Sequence, residues 1–121
     1  MFKQPGGALE RTVLSHSPDQ IVLCSVVKAE LWHGAQKYER TDRRLAVLNT
    51  LFASFVSFPF DDDAAAQYGT IRHELETAGC VIGPNDLMIA AICVAKGLTL
   101  VTSNTAEFSR IPGLRFEDWS V

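Results

Sequence analysis

The sequence predicts a single α/β domain built on a parallel sheet. Two observations carry this. Short strand-like runs alternate with longer segments of helical period, and the run at residues 21–24 is apolar on both faces, as a strand covered on both sides is. The chain is 121 residues long, the size of one domain that can bury a core without disulfides or metals, and we treat residues 1–121 as that domain.

Taken in order, Pro5-Gly6-Gly7 reads as a frayed start or loop. Leu9, Val13 and Leu14 have helical spacing, and residues 15–18 end that helix. After the strand at 21–24, Ser25 is an expected N-cap for a helix to about residue 36. A second helix is expected over 41–54, with Leu45, Leu48, Leu51, Phe52 and Phe55 on its apolar side. Residues 56–58 make a short strand stopped by Pro59. Asp61, Asp62 and Asp63 precede three alanines, which suits a helix start with acids at the positive dipole end and Gly79 at its close. Gly83-Pro84-Asn85-Asp86 begins another helix, over residues 87–96, closed by Gly97. Residues 98–102 are the clearest buried strand, a helical turn is expected at 105–108, and residues 114–116 are a last strand.

Composition excludes several classes. No apolar run approaches the roughly 20 residues of a membrane span, and the first seven residues lack the apolar stretch of a secretory signal. Cys24, Cys80 and Cys93 are odd in number and widely spaced, which argues against a disulfide scaffold or a CxxC site and for small buried hydrophobes in a cytoplasmic protein. His16, His33 and His73 lack zinc-site spacing, and no phosphate-cradling Gly-rich loop is present. The net charge of −3 speaks against a protein that coats DNA. The charge is uneven, with seven Lys/Arg against five Asp/Glu in residues 1–60 and four against nine in residues 61–121. Such a division suits an acidic site with a basic rim. Lys37, Arg40, Arg43 and Arg44 are either that rim, steering phosphates, or a solvated helix face.

In parallel sheets ligands bind beyond the C-terminal strand ends. Glu30 follows the first strand and Asn104 the strand at 98–102, while Asp86 opens the helix leading into that strand. Asp86 also reads as a helix-start residue, and Glu30 as an exposed member of an amphipathic helix. Asp61–63 reads as a cap rather than a metal cluster, since successive residues point different ways.

Several segments together resemble PIN-domain ribonucleases of the VapC type, the toxins of bacterial toxin–antitoxin pairs. They are Ser25-Val26-Val27-Lys28-Ala29-Glu30-Leu31-Trp32-His33-Gly34-Ala35, the helix from Asp61 through Leu75, Ile82-Gly83-Pro84-Asn85-Asp86-Leu87-Met88-Ile89-Ala90-Ala91, the stretch from Leu100 through Asn104 to Glu107-Phe108, and the tail from Leu114 to Trp119. The likeness runs from about residue 8 to the end. It implies a PIN-like parallel sheet flanked by helices and a Mg²⁺- or Mn²⁺-dependent endoribonuclease. Glu30 and Asp86 would be the metal-binding carboxylates, Asn104 a further catalytic residue, and Thr102 either a residue holding a ligated water or carboxylate, or a plain β-branched strand residue. Two carboxylates sharing one hydrated ion should lie within about 4–8 Å. The implied partners are a cognate antitoxin, an RNA substrate and a second copy, with strand exchange one route to the dimer.

The family's opening strand, which ends in an Asp, has no counterpart in these residues, so the expected fold is N-terminally truncated and the cleavage impaired. The alternative is a catalytically inactive PIN-like module that binds an antitoxin or RNA. A flavodoxin-like signalling domain fits less well, because the early Asp pair is missing. Trp32, Leu48, Leu51, Phe52, Phe55, Phe58 and Phe60 either form an assembly surface or face the chain's own core.

Overall fold

The structure, a computed structural model, describes residues 22–118. The predicted helix at 9–14, the place of an opening strand and Trp119 lie outside them. The elements run β1 (Val22–Cys24), α1 (Ser25–Ala35), α2 (Thr41–Phe52), β2 (Val56–Phe58), α3 (Asp62–Ala78), α4 (Pro84–Lys96), β3 (Thr99–Val101), α5 (Thr105–Phe108) and β4 (Arg115–Glu117). β1 pairs with β2 and β3 with β4, both parallel, with Val22 opposite Val56 and Thr99 opposite Arg115. Among the described residues no ladder joins the two pairs. They still share an apolar cluster, because Leu23 of β1 and Val101 of β3 are buried with Phe52 of α2.

α4 is the centre of the main core. Leu87, Ile89, Ala90, Ala91, Ile92 and Cys93 are all buried, and they cluster with Ile71 and Leu75 of α3, Val27 of α1, Leu100 of β3 and Phe108 of α5. A helix apolar around most of its circumference belongs inside. Pro84 at its first position lacks the N–H that would have no helical partner there, and Gly97 ends it at φ 67°.

The acidic triplet caps α3. The Ala64 N–H donates to Asp61 Oδ1 at 3.0 Å. The Lys96 ammonium reaches back from the end of α4 to Asp61 Oδ2 at 2.8 Å and Asp63 Oδ2 at 3.6 Å. The Lys96 ammonium, with the Ala64 N–H, holds the Asp61 carboxyl below its ordinary value of 3.8. A lowered folded value gives stability above that ordinary value which is lost as pH falls through the folded one. Asp61→Asn should therefore have a lower urea midpoint than the parent at pH 7, with the difference shrinking as pH falls below the ordinary value of 3.8. The difference should be modest, because the pair is open to water.

Several boundaries depart from the sequence expectation: α4 starts at Pro84 rather than at residue 87, and β3 spans Thr99–Val101 rather than 98–102. Cys24, not Ser25, is the N-cap of α1, and no side chain caps that end. α2 stops at Phe52, two residues early, and β4 is shifted one residue, to Arg115–Glu117. The last shift follows from Arg115, whose guanidinium donates to the Gly97 carbonyl, and from Thr102, whose N–H donates to the Glu117 carbonyl at 3.0 Å. The seven large apolar residues turn mostly inward. Phe52 is buried, Leu48, Leu51 and Phe55 pack on its cluster, and Phe58 and Phe60 pack on the main core. Trp32 is 39% exposed, stands edge-on to Phe52 at 5.3 Å and donates to Asn49 Oδ1, which ties α1 to α2.

Candidate active site

Glu30 stands on the second turn of α1, just past the C-terminal end of β1, and its side chain is exposed. It lines a cleft of about 370 Å³ with Ser25, Ala29 and His33 of the same helix and with Asn85 and Met88 from the opening of α4. Asp86, the residue after Asn85, is half-buried in the first turn of α4, where the positive end of the helix dipole favours its negative charge. The packing of α1 against α4 brings these two helix regions together.

Asn104 lies at the other strand end. It is the N-cap of α5, its amide nitrogen donates to Glu107 Oε2 at 3.1 Å, and its backbone N–H donates to Thr102 Oγ1 at 3.0 Å. With the nitrogen committed to Glu107, the amide oxygen is the atom Asn104 offers a ligand. Thr102 is buried, and its hydroxyl shapes the turn that presents Asn104. Glu107 is the acid the sequence reading left without a role. Its signal was present, since an acid three residues after a helix cap is the capping-box spacing.

The donor chemistry fits a hard divalent ion. Glu30 and Asp86 supply carboxylate oxygens and Asn104 an amide oxygen, and Mg²⁺ is commonly held by one or two carboxylates with several waters. Among the described residues no three His, Cys, Asp or Glu side chains gather around one point, so Glu30, Asp86 and Glu107 are not a preformed triad.

Glu30 also lines a larger groove of about 980 Å³ between α1 and α2. Its walls are apolar, from Val27, Leu31, Val47, Leu48 and Leu51, and its far end carries Arg40, Arg43 and Arg44. Arg44 stacks 5.0 Å over Tyr38, and Arg40 adopts φ 60°, an uncommon backbone for a residue with a side chain. The basic stretch of the sequence is thus one end of a groove whose other end is acidic, and Lys37 is outside it. The cysteines take no part. Burial raises the Cys24 thiol and pushes Cys93 up to about 12, so both are protonated and inert at neutral pH. Among the described residues no helix is long and apolar enough to cross a membrane.

The chain is similar to known proteins over most of its length. The PIN domain family model matches residues 2–114. The chain is 39% identical over 117 residues to the tRNA(fMet)-specific endonuclease VapC of Shigella flexneri, covering 97% of this chain and 87% of that one. It is 35% identical over 117 residues to Ribonuclease VapC2 of Rickettsia felis, with the same coverage. The crystal structure of DNA-bound VapBC from Salmonella typhimurium superposes with a TM-score of 0.86 at 36% identity, covering 93% of this chain and 86% of that one.

Proposed function

The chain belongs to the PIN-domain family, and we propose that it is a divalent-metal-dependent endoribonuclease, the toxin of a cytoplasmic toxin–antitoxin pair. The observation that carries this is Glu30, an exposed carboxylate past a parallel strand end, sharing a cleft with the start of the helix that bears Asp86. Its relatives are named as VapC ribonucleases. A bound Mg²⁺ or Mn²⁺ would lower the pKa of a water and neutralise charge on the phosphate. Glu30 and Asp86 would hold that ion. Asn104 would orient a water through its amide oxygen, and Thr102 would keep Asn104 in place through the 3.0 Å bond to its backbone.

The site musters two carboxylates and no preformed triad among the described residues, which supports weak metal binding and slow cleavage. The same observation favours a second reading, a binding module without turnover. An RNA cleavage assay with Mg²⁺ or Mn²⁺ decides between them. The RNA to try first is the initiator tRNA in the name of the Shigella flexneri relative.

The proposed partner is the cognate antitoxin, seated as a helix in the α1–α2 groove, whose apolar walls suit an amphipathic helix. Val47 lines that groove and is 62% exposed. Val47→Asp should weaken antitoxin binding about tenfold or more by titration calorimetry, with an unchanged circular dichroism spectrum. Unaltered affinity would move the partner elsewhere. A homodimer is the proposed assembly, and light scattering measures it.

A further inference from the structure

We propose that Arg40, Arg43 and Arg44 hold the phosphate backbone of the RNA substrate, and that the α1–α2 groove is the track along which the strand runs from these arginines to Glu30. The proposal rests on reading the chain as a ribonuclease that cuts at Glu30. The three arginines and Glu30 line one groove of about 980 Å³. Glu30 is five residues before the end of α1 at Ala35, so the arginine end begins about 7.5 Å or more along the helix axis from it. The arginines therefore meet phosphates beside the scissile one, not the scissile one itself.

The fold does not account for three arginines here. All are exposed, and among the described residues none forms an ion pair. Glu39 and Asp42, the acids interleaved with them in sequence, do not line the groove. Arg40 is the N-cap of α2, and Arg43 and Arg44 are its third and fourth residues. At that end the helix dipole opposes a cation, and like charges three and four residues apart repel. Arg40 also keeps a left-handed backbone, φ 60°, which costs energy in a residue with a side chain. Only Arg44 is anchored, by its Nε–H donating to the Glu39 carbonyl at 3.1 Å and by its stack on Tyr38, and its two terminal nitrogens remain as donors.

Three guanidiniums on one groove suit a polyanion. The planar fork of arginine donates paired hydrogen bonds to phosphate, and an RNA strand brings one phosphate per nucleotide. The chain as a whole is acidic, at −3, so RNA must be drawn by a local patch rather than by the overall charge. An acidic peptide would also meet the arginines, but only the RNA has to reach Glu30 as well, and one groove joins the two places. Such contacts set the register and direction of the strand and carry no sequence information. The antitoxin helix proposed for the apolar walls would cover the same track, so it and the RNA exclude each other.

The test measures binding of fluorescently labelled initiator tRNA to the intact chain by anisotropy, in EDTA so that nothing is cut, at a series of KCl concentrations. The slope of log affinity against log salt counts the phosphate contacts. Arg40→Gln and Arg43→Gln should each lower that slope by about 0.7–0.9, and the double variant should bind about tenfold or more weakly at ~0.1 M salt. Arg40→Lys and Arg43→Lys keep the charge and should keep the slope. Arg72→Gln removes the same charge from α3, where Arg72 pairs with Glu76, and should change neither slope nor affinity. With Mg²⁺ or Mn²⁺ in place of EDTA, the double variant should raise KM and leave kcat within about threefold. Parent-like slope and affinity in the double variant would overturn the proposal and leave the arginines to the antitoxin. So would an equal loss in Arg72→Gln, which would mean attraction to charge at large, and so would a parent that does not bind the tRNA. A parent that binds through Arg40 and Arg43 but never cuts RNA would sink the nuclease reading and leave the RNA track standing.

Discussion

Glu30→Gln is expected to lower metal-dependent RNA cleavage by about 100- to 1000-fold while leaving the fold intact. The magnitude follows from what the carboxylate does. A metal at a phosphoryl site stabilises the transition state by several kcal/mol, and each 1.36 kcal/mol is about a factor of ten in rate. The substitution keeps the side chain's size and polarity and removes one of the two negative charges that the proposed site has among the described residues. Glu30 is exposed and makes no structural hydrogen bond among the described residues, so its urea midpoint should not move. Asp86→Asn should act in the same direction on cleavage. Because Asp86 is half-buried in the first turn of α4 and has partners of its own, a small loss of stability should accompany it. The informative comparison is the double variant. Two ligands to one ion fail together, so Glu30→Gln with Asp86→Asn should be little worse than either alone. Parent-like cleavage in both single variants would remove these residues from the chemistry.

Much of this was legible in the sequence, and the reasons are local. α3 was readable because Asp61, the alanines and Gly79 each act within one turn of their own position, and the capping bond and the left-handed glycine stand where those residues place them. β2 and α5 were readable for the same reason. α1 misled at its start because Ser25 has the right chemistry for a cap, while the chain leaves β1 in the extended conformation at Cys24, one residue sooner. The positions of Glu30, Asp86 and Asn104 at element ends could be read from order alone. Their mutual arrangement could not, because it depends on how α1 packs on α4 and on the pairing of strands distant in sequence. Glu107 went unassigned for a similar reason. Its spacing from Asn104 is local, but its meaning appears only once the amide is seen to point at it. The arginines show the limit best. As a run of letters they are a charged face or a rim, and only the turn between α1 and α2 places three of them on one groove with Glu30.

Phe108→Ala is expected to destabilise the domain by about 3–5 kcal/mol, the usual cost of truncating a fully buried aromatic ring. Phe108 has no exposed surface and is the largest fully buried side chain among the described residues. It belongs to the main core with Ile111 and Leu114, which follow it, and with Ile89 and Ile92 of α4. Its helix has four residues, far below what stands alone in water, so α5 exists because that ring is anchored. A domain of this size holds together by about 5–15 kcal/mol, so the substitution removes a large share of the margin. With a urea dependence of roughly 1–3 kcal/mol per molar, the midpoint should fall by more than about 1 M. Phe108→Leu keeps most of the volume and should cost less than about 1.5 kcal/mol. The pair also separates stability from chemistry at this end of the site. α5 begins at Asn104, so loosening it releases the Asn104–Glu107 bond and the turn held by Thr102. Phe108→Leu, still folded, should keep metal-dependent cleavage near the parent's rate, whereas Phe108→Ala should lose cleavage in step with its loss of folded protein. A change of under about 1 kcal/mol in Phe108→Ala would show that α5 is not pinned by this ring, and the placement of Asn104 would then need another cause.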